Sequence, residues 1–257
     1  MDETFPTSLL GRFRPDWIMA RSRSGVVWAV TDLRDGRPLV LKRLPLTLLT
    51  EDWPRHPNLV AILEQPRWDL LLMERVRGLQ LRQFQTPGER LAPDRAALLL
   101  RPVLAAVGAL HAAGISHGGL HGGNVLVRSP EDPVVMEPQT GRVPVLGAAP
   151  EILCGEVPNP ASDVWALGVL AHQLLTGQAP HAGAPEAMRR MILEDPLPAP
   201  CLLAPGLPPA LDAWLRRSLA RAAERRFADA GEMLAALDEA VRGAMREAMT
   251  LARQRIA

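Results

Sequence analysis

The chain has 257 residues, 47% of them apolar and 22% charged, with a net charge of +1. That size and balance indicate a folded protein with a large core and exclude a disordered chain. The near-neutral charge gives no ground for a nucleic-acid or acidic-membrane partner, and two cysteines, Cys154 and Cys201, are too few for a disulfide framework and match no metal spacing.

Met1 is followed by the acidic Asp2 and Glu3 rather than by a basic segment and an apolar run, so no signal peptide is expected. The longest apolar stretches run to about 15 residues and carry His or Gly, too short for a membrane span. A cytoplasmic protein is the expectation.

Residues 8–43 read as short strands with a turn at Asp35-Gly36. Of the 29 basic residues, 28 are arginine and one, Lys42, is lysine. Lysine is a compact point charge where arginine is a planar fork, so position 42 is a candidate for a site that needs an ammonium. The stretch 45–55 holds two prolines and has room for no more than about two helical turns. Asp69–Val76 reads as a buried strand running into a polar exit. Residues 91–113 repeat apolar side chains at helical spacing after a Pro-Asp start, which predicts a core helix. The loop from His117 to Asn124, HGGLHGGN, can be read as two tight turns on glycine pairs. A hairpin follows over 124–141. Ser162-Asp163 reads as the N-cap of a helix that is apolar nearly all round. At the end, Val241, Met245, Ala248, Ala252 and Ile256 form one apolar stripe, which either packs on its own domain or meets a partner.

The loop 117–124 resembles the protein-kinase sequence H-R-D-L-K-x-x-N, and His121 also matches the small-molecule kinase variant H-G-D-L-H-x-x-N. Other segments resemble the same family, closest to bacterial Ser/Thr kinases, over roughly residues 10–239. MARSRSGVVWAV is similar to the glycine-rich loop, with Ala20, Ser22 and Gly25 at the glycine places and Val27 above the base. LVLK is similar to V-A-I-K, HPNL to H-P-N-I, and Ala149-Pro150-Glu151 to A-P-E. SDVWALGVLAHQLLTG resembles the central helix of the kinase large lobe.

The resemblance implies an α+β, bilobal protein-kinase-like fold. Its β-rich N-lobe (1–76) has a reduced or missing regulatory helix, its C-lobe (77–239) is helical, and a helical extension covers 240–257. It assigns nucleotide contacts to Lys42, Val27, Glu74, Val76, Asn124 and Glu137, with Met73 as gatekeeper. Glu51 is the one glutamate in the reduced-helix segment that can face Lys42. Glu137 falls at the place of the metal-binding Asp and reads equally as a solvated surface charge. Asp163 would anchor the catalytic loop, and Glu151 would pair with Arg226. The catalytic base position is Gly119, and a glycine cannot take a proton. The activation segment, 138–148, is short and holds one hydroxyl residue, Thr140.

From these departures the sequence predicts a pseudokinase: not an enzyme, but a scaffold or regulatory module engaging a protein partner through the N-lobe face or residues 240–257. No nucleic acid or membrane is expected. No cofactor is required on this reading; ATP binds weakly and without Mg²⁺, and no residue is assigned to a metal. An ATP-binding conformational switch and an unconventional transferase using His117, His121 or Glu137 are the alternatives.

Overall fold

The computed structural model describes residues 5–22, 25–44, 53–84, 86, 88–137 and 144–256. Strands β1 (Phe13–Ser22), β2 (Gly25–Asp32), β3 (Pro38–Arg43), β4 (Ile62–Arg67) and β5 (Leu70–Glu74) form an antiparallel sheet in the order β1-β2-β3-β5-β4. The β2–β3 connection turns at Gly36, whose φ of 72° is a left-handed conformation that glycine adopts without strain.

Alternation decides which side chains share a face. Leu39 and Leu41 join Phe13, Val26, Trp28, Val30, Leu70 and Leu72 on one face, where Phe5 and Leu9 cover them. Val40 and Leu44 point the other way, into a second cluster with Val60, Leu71, Met73 and Val134. Lys42 lies between Val40 and Leu44 in this alternation, so the chain's one lysine is carried on the second face, toward the other lobe.

The regulatory helix expected to be reduced is absent from the described residues between β3 and β4. Residues 45–52, including Leu48, Leu49 and Glu51, lie outside the described set. Just beyond them, the Trp53 ring packs on the cluster around Met73 while its indole N–H donates to the Val60 carbonyl at 3.0 Å.

A short pair, β6 (Leu79–Gln80) and α1 (Leu81–Phe84), leads into the second lobe. Its core helix α2 (Pro93–Ala112) opens on proline, where the missing N–H is no loss. This helix is long and apolar enough to cross a membrane by length and composition. Here its apolar residues belong to the lobe's main core, together with residues of the buried helix α4 and the terminal helix α8.

Strands β7 (Val125–Val127) and β8 (Pro133–Val135) form the expected hairpin, with β6 on the outer edge of β7. The HPNL segment bridges the lobes here: Val60 N–H donates to the Val135 carbonyl at 2.9 Å and Val135 N–H to the Asn58 carbonyl at 2.8 Å.

After α3 (Pro150–Leu153) comes α4 (Pro160–Thr176). Its cap is Asn159 rather than the Ser162-Asp163 pair read from the sequence. Asn159 accepts from Ser162 N–H, and Ser162 Oγ accepts from Asn159 N–H, a reciprocal capping box. Moving the cap three residues upstream leaves Asp163 free to serve the catalytic loop.

Helices α5 (Pro185–Glu194), α6 (Pro200–Leu203), α7 (Pro209–Ser218) and α8 (Ala230–Ile256) complete the lobe. The boundary placed at 239/240 falls inside α8, which runs unbroken across it, with Leu237, Ala240 and Val241 buried in the core. Beyond them Met245 of the apolar stripe is exposed, as is Met249.

Candidate active site

The site is built on Lys42 from β3 and Glu137, two residues beyond β8. Their side chains, 95 residues apart in sequence, meet at 2.5 Å and are 8% and 9% exposed. Of the two sequence readings of Glu137, a solvated surface charge is therefore excluded. Val27, Val76 and Met136 pack against the same apolar cluster as Met73, on the sheet face that carries Lys42. Glu74 closes β5; its carboxylate accepts from Ala61 N–H at 3.0 Å and so points at the β4 side, leaving only its backbone for a ligand.

The loop 117–124 is held from below. Asp163 accepts from His117 N–H at 2.6 Å and from Gly118 N–H at 2.8 Å. Gly118 has φ of 70°, and a Cβ there would lie 2.9 Å from the Pro158 ring, so this loop shape needs glycine at the place of the family's arginine. A contact that the sequence reading missed steadies Asp163 in turn. His111 Nε2 lies 3.1 Å from Asp163, and His111 Nδ1 accepts from Ala230 N–H at 3.1 Å, so the ring donates through Nε2 and ties α8 to the loop. The signal was the His after Leu110 at the end of α2, which reads in isolation as a helix-terminal residue.

Asn124 uses both ends of its amide within the loop. Its Nδ2 donates to the Gly119 carbonyl at 2.7 Å, and its Oδ1 accepts from His121 N–H at 2.9 Å. His121 Nδ1 accepts from Gly123 N–H at 2.9 Å. Position 119 presents backbone only.

Glu151 and Arg226 form a bidentate pair at 2.7 and 2.9 Å, with the arginine side chain fully buried. Arg226 also donates to the Ala161, Ala220 and Arg221 carbonyls, so its guanidinium is saturated. Residues 138–143, including Thr140, lie outside the described set.

A crystal structure of the kinase domain of PknI from Mycobacterium tuberculosis superposes with a TM-score of 0.71, at 20% identity, covering 89% of this chain and 95% of that one. This establishes the fold. In sequence, the chain is 30% identical over 201 residues to the serine/threonine-protein kinase PknD of Mycobacterium tuberculosis, covering 71% of this chain. It is 27% identical over 279 residues to the probable serine/threonine-protein kinase PknB of Corynebacterium glutamicum, covering 92% of it.

The chain belongs to the protein-kinase-like family.

It spans 30% of the length of the first of these relatives and 43% of the second. No family model matches it.

Two expectations are corrected by these kinase relatives. The first is that the chain is not an enzyme: its relatives bear the name of Ser/Thr protein kinases. The physical reason is that loss of the base at Gly119 removes one contributor, whereas positioning and electrostatics supply most of the catalysis in this chemistry. The second is that no cofactor is required and ATP binds without metal: kinases of this kind normally use ATP with Mg²⁺. Lys42 alone offsets little of a triphosphate's charge. Mg²⁺ is commonly held by one or two carboxylates plus phosphate oxygens, and the residues present fit that demand. Glu137 commits Oε1 to Lys42 and keeps its second oxygen, and Asn124 Oδ1 keeps a lone pair. Among the described residues no cluster of three or more His, Cys, Asp or Glu side chains offers a protein-only cage.

Buried imidazoles make stability depend on pH. Burial holds His117, His121, His172 and His181 below the ordinary value of 6.5, and at His121 the charges of His117 and Arg82 add to it. The unfolded chain takes up protons near 6.5 and the folded one does so only at lower pH. The unfolded state therefore binds more protons on acidification, and stability present above 6.5 is lost as pH falls through the folded values. The urea midpoint is expected to be lower at about pH 5.5 than at about pH 7.5. An unchanged midpoint would mean that these rings are solvated.

Proposed function

We propose that the chain is a kinase-fold phosphotransferase that binds ATP with Mg²⁺ between its lobes, and that nucleotide entry re-partners the Lys42–Glu137 pair. The observation that carries this reading is that buried pair, made by the chain's one lysine on the sheet face where Val27 and Val76 pack. Removing either partner leaves a buried charge unanswered, so the pair is held until another anion takes the lysine.

ATP supplies the phosphoryl group, and Mg²⁺ offsets the charge on its oxygens. Lys42 binds phosphate oxygens through its ammonium. Glu137 and Asn124 contribute the hard oxygen donors, and Asp163 with His111 keeps the loop beneath them in place. Gly119 offers no proton acceptor, so the acceptor hydroxyl loses its proton to solvent or to the phosphoryl oxygens, and transfer is slow. The pair makes the cleft responsive to nucleotide, which suits a regulatory domain in the cytoplasm, where ATP is available. A protein partner, at the face around Trp53 or at the exposed Met245 and Met249, belongs to the same reading; a nucleic acid or membrane does not.

The test is incubation with γ-labelled ATP and Mg²⁺. Label is expected on the chain itself or on an added Ser/Thr peptide, and is expected to vanish in Lys42→Arg, which keeps a cation for Glu137 but not the compact ammonium. Absence of label with the wild-type chain, or equal label with Lys42→Arg, refutes the proposal.

A further inference from the structure

The outer strand of the sheet meets the chain between the lobes through a side-chain contact. Among the described residues β1 is an edge strand, paired with β2 alone. Its register with β2 shifts between Pro15 and Trp17 and again between Ile18 and Ala20. Such irregularities disrupt the hydrogen-bond ladder locally, so the stretch around Trp17 is held less firmly than the rest of the sheet.

Trp17 lies opposite Ala29, Ala29 opposite Val40 and Val40 opposite Met73, so the four share one face. It is the face that carries Lys42; Ile18, one residue on, packs with Trp28 on the other. The Trp17 side of this row is open, with the residue 51% exposed. Arg75 stands between Glu74, the last residue of β5, and Val76, which packs on the cluster around Met73. Its guanidinium carbon lies 4.5 Å from the centre of the Trp17 ring, a cation–π contact. Among the described residues this half-buried guanidinium has no ion-pair or hydrogen-bond partner, so the ring is what holds it.

We propose that the Arg75–Trp17 contact is a latch that holds β1 against the connection between the lobes and slows nucleotide exchange. The proposal rests on the nucleotide reading above. A base that meets the backbone of Glu74 and Val76 lies beside this contact and has to pass β1 to enter or leave. Lys42, Glu137 and Asn124 hold the phosphates and metal and are not part of the latch, which therefore acts on the path rather than on the bound state. It changes association and dissociation together and leaves the affinity as it is. The strength of an exposed cation–π contact sets the effect at about two- to fivefold in each rate.

The experiment is stopped-flow binding of N-methylanthraniloyl-ATP with Mg²⁺, followed by displacement with excess ATP, on the full chain and on Arg75→Gln, Trp17→Leu and the double variant. Both rates are expected to rise about two- to fivefold in each single variant. The double variant is expected to rise no further, and Kd to stay the same throughout. Unchanged rates in the single variants overturn the latch and leave the nucleotide reading intact. Slower association in Arg75→Gln alone also overturns it, because the arginine then only attracts the phosphates. A weaker Kd in Trp17→Leu overturns it too, since the indole is then a ligand contact. No binding by the unsubstituted chain overturns the nucleotide reading and the latch with it.

Discussion

Replacing Arg226 with alanine is expected to destabilise the protein by about 3–5 kcal/mol, the range for a buried charge stripped of its partner. The guanidinium makes two bonds to Glu151 and three to backbone carbonyls, and its side chain is fully buried. Truncation therefore leaves a carboxylate and three carbonyls short of a donor, and it removes the cation 5.1 Å from the Trp165 ring. Arg225 next to it is exposed, and Arg225→Ala is expected to change stability by less than about 0.5 kcal/mol. Urea denaturation of the two variants side by side measures the difference. Equal midpoints would show that the pair contributes nothing beyond solvated charges.

The second large effect is a gain. Gly119→Asp places a carboxylate at the position that lacks one, and general-base assistance contributes roughly 10²–10⁴-fold to a rate. The backbone allows it: Gly118 is the left-handed residue of this turn and Gly119 is not. The Asn124 bond to the Gly119 carbonyl uses main chain only and survives the substitution. Single-turnover transfer from γ-labelled ATP is expected to speed up by about 10²-fold or more in Gly119→Asp. An unchanged rate would show that proton removal does not limit transfer.

Much of this was legible in the sequence because kinase motifs are local in chain order. HGGLHGGN, LVLK, HPNL and the Ala149-Pro150-Glu151 triplet each announce an element, and the fold follows from their order. Even the pairing of Glu151 with Arg226 could be expected, since both residue types stand at their places 75 positions apart. What escaped depends on which distant side chains meet. Glu137 could be read as a surface charge until β3 and β8 brought it to Lys42, because nothing local to Met136-Glu137-Pro138 specifies burial. Asn159 was passed over as a cap because Ser162-Asp163 carries an equally good local signal; only tertiary demand for Asp163 under the loop separates them. His111 was missed for the same reason, since its partners Asp163 and Ala230 lie 52 and 119 positions away. The terminal helix was divided at 240 because the family resemblance stopped there, whereas helical periodicity does not.

The central claim is that Lys42, Glu137 and Asn124 form a cleft for ATP together with Mg²⁺. Calorimetric titration of the chain with ATP, in the presence and absence of Mg²⁺, tests it most directly. The account predicts saturable binding that Mg²⁺ strengthens at least tenfold, equal to about 1.4 kcal/mol. ATP affinity that is the same with and without Mg²⁺, or no binding under either condition, would contradict it.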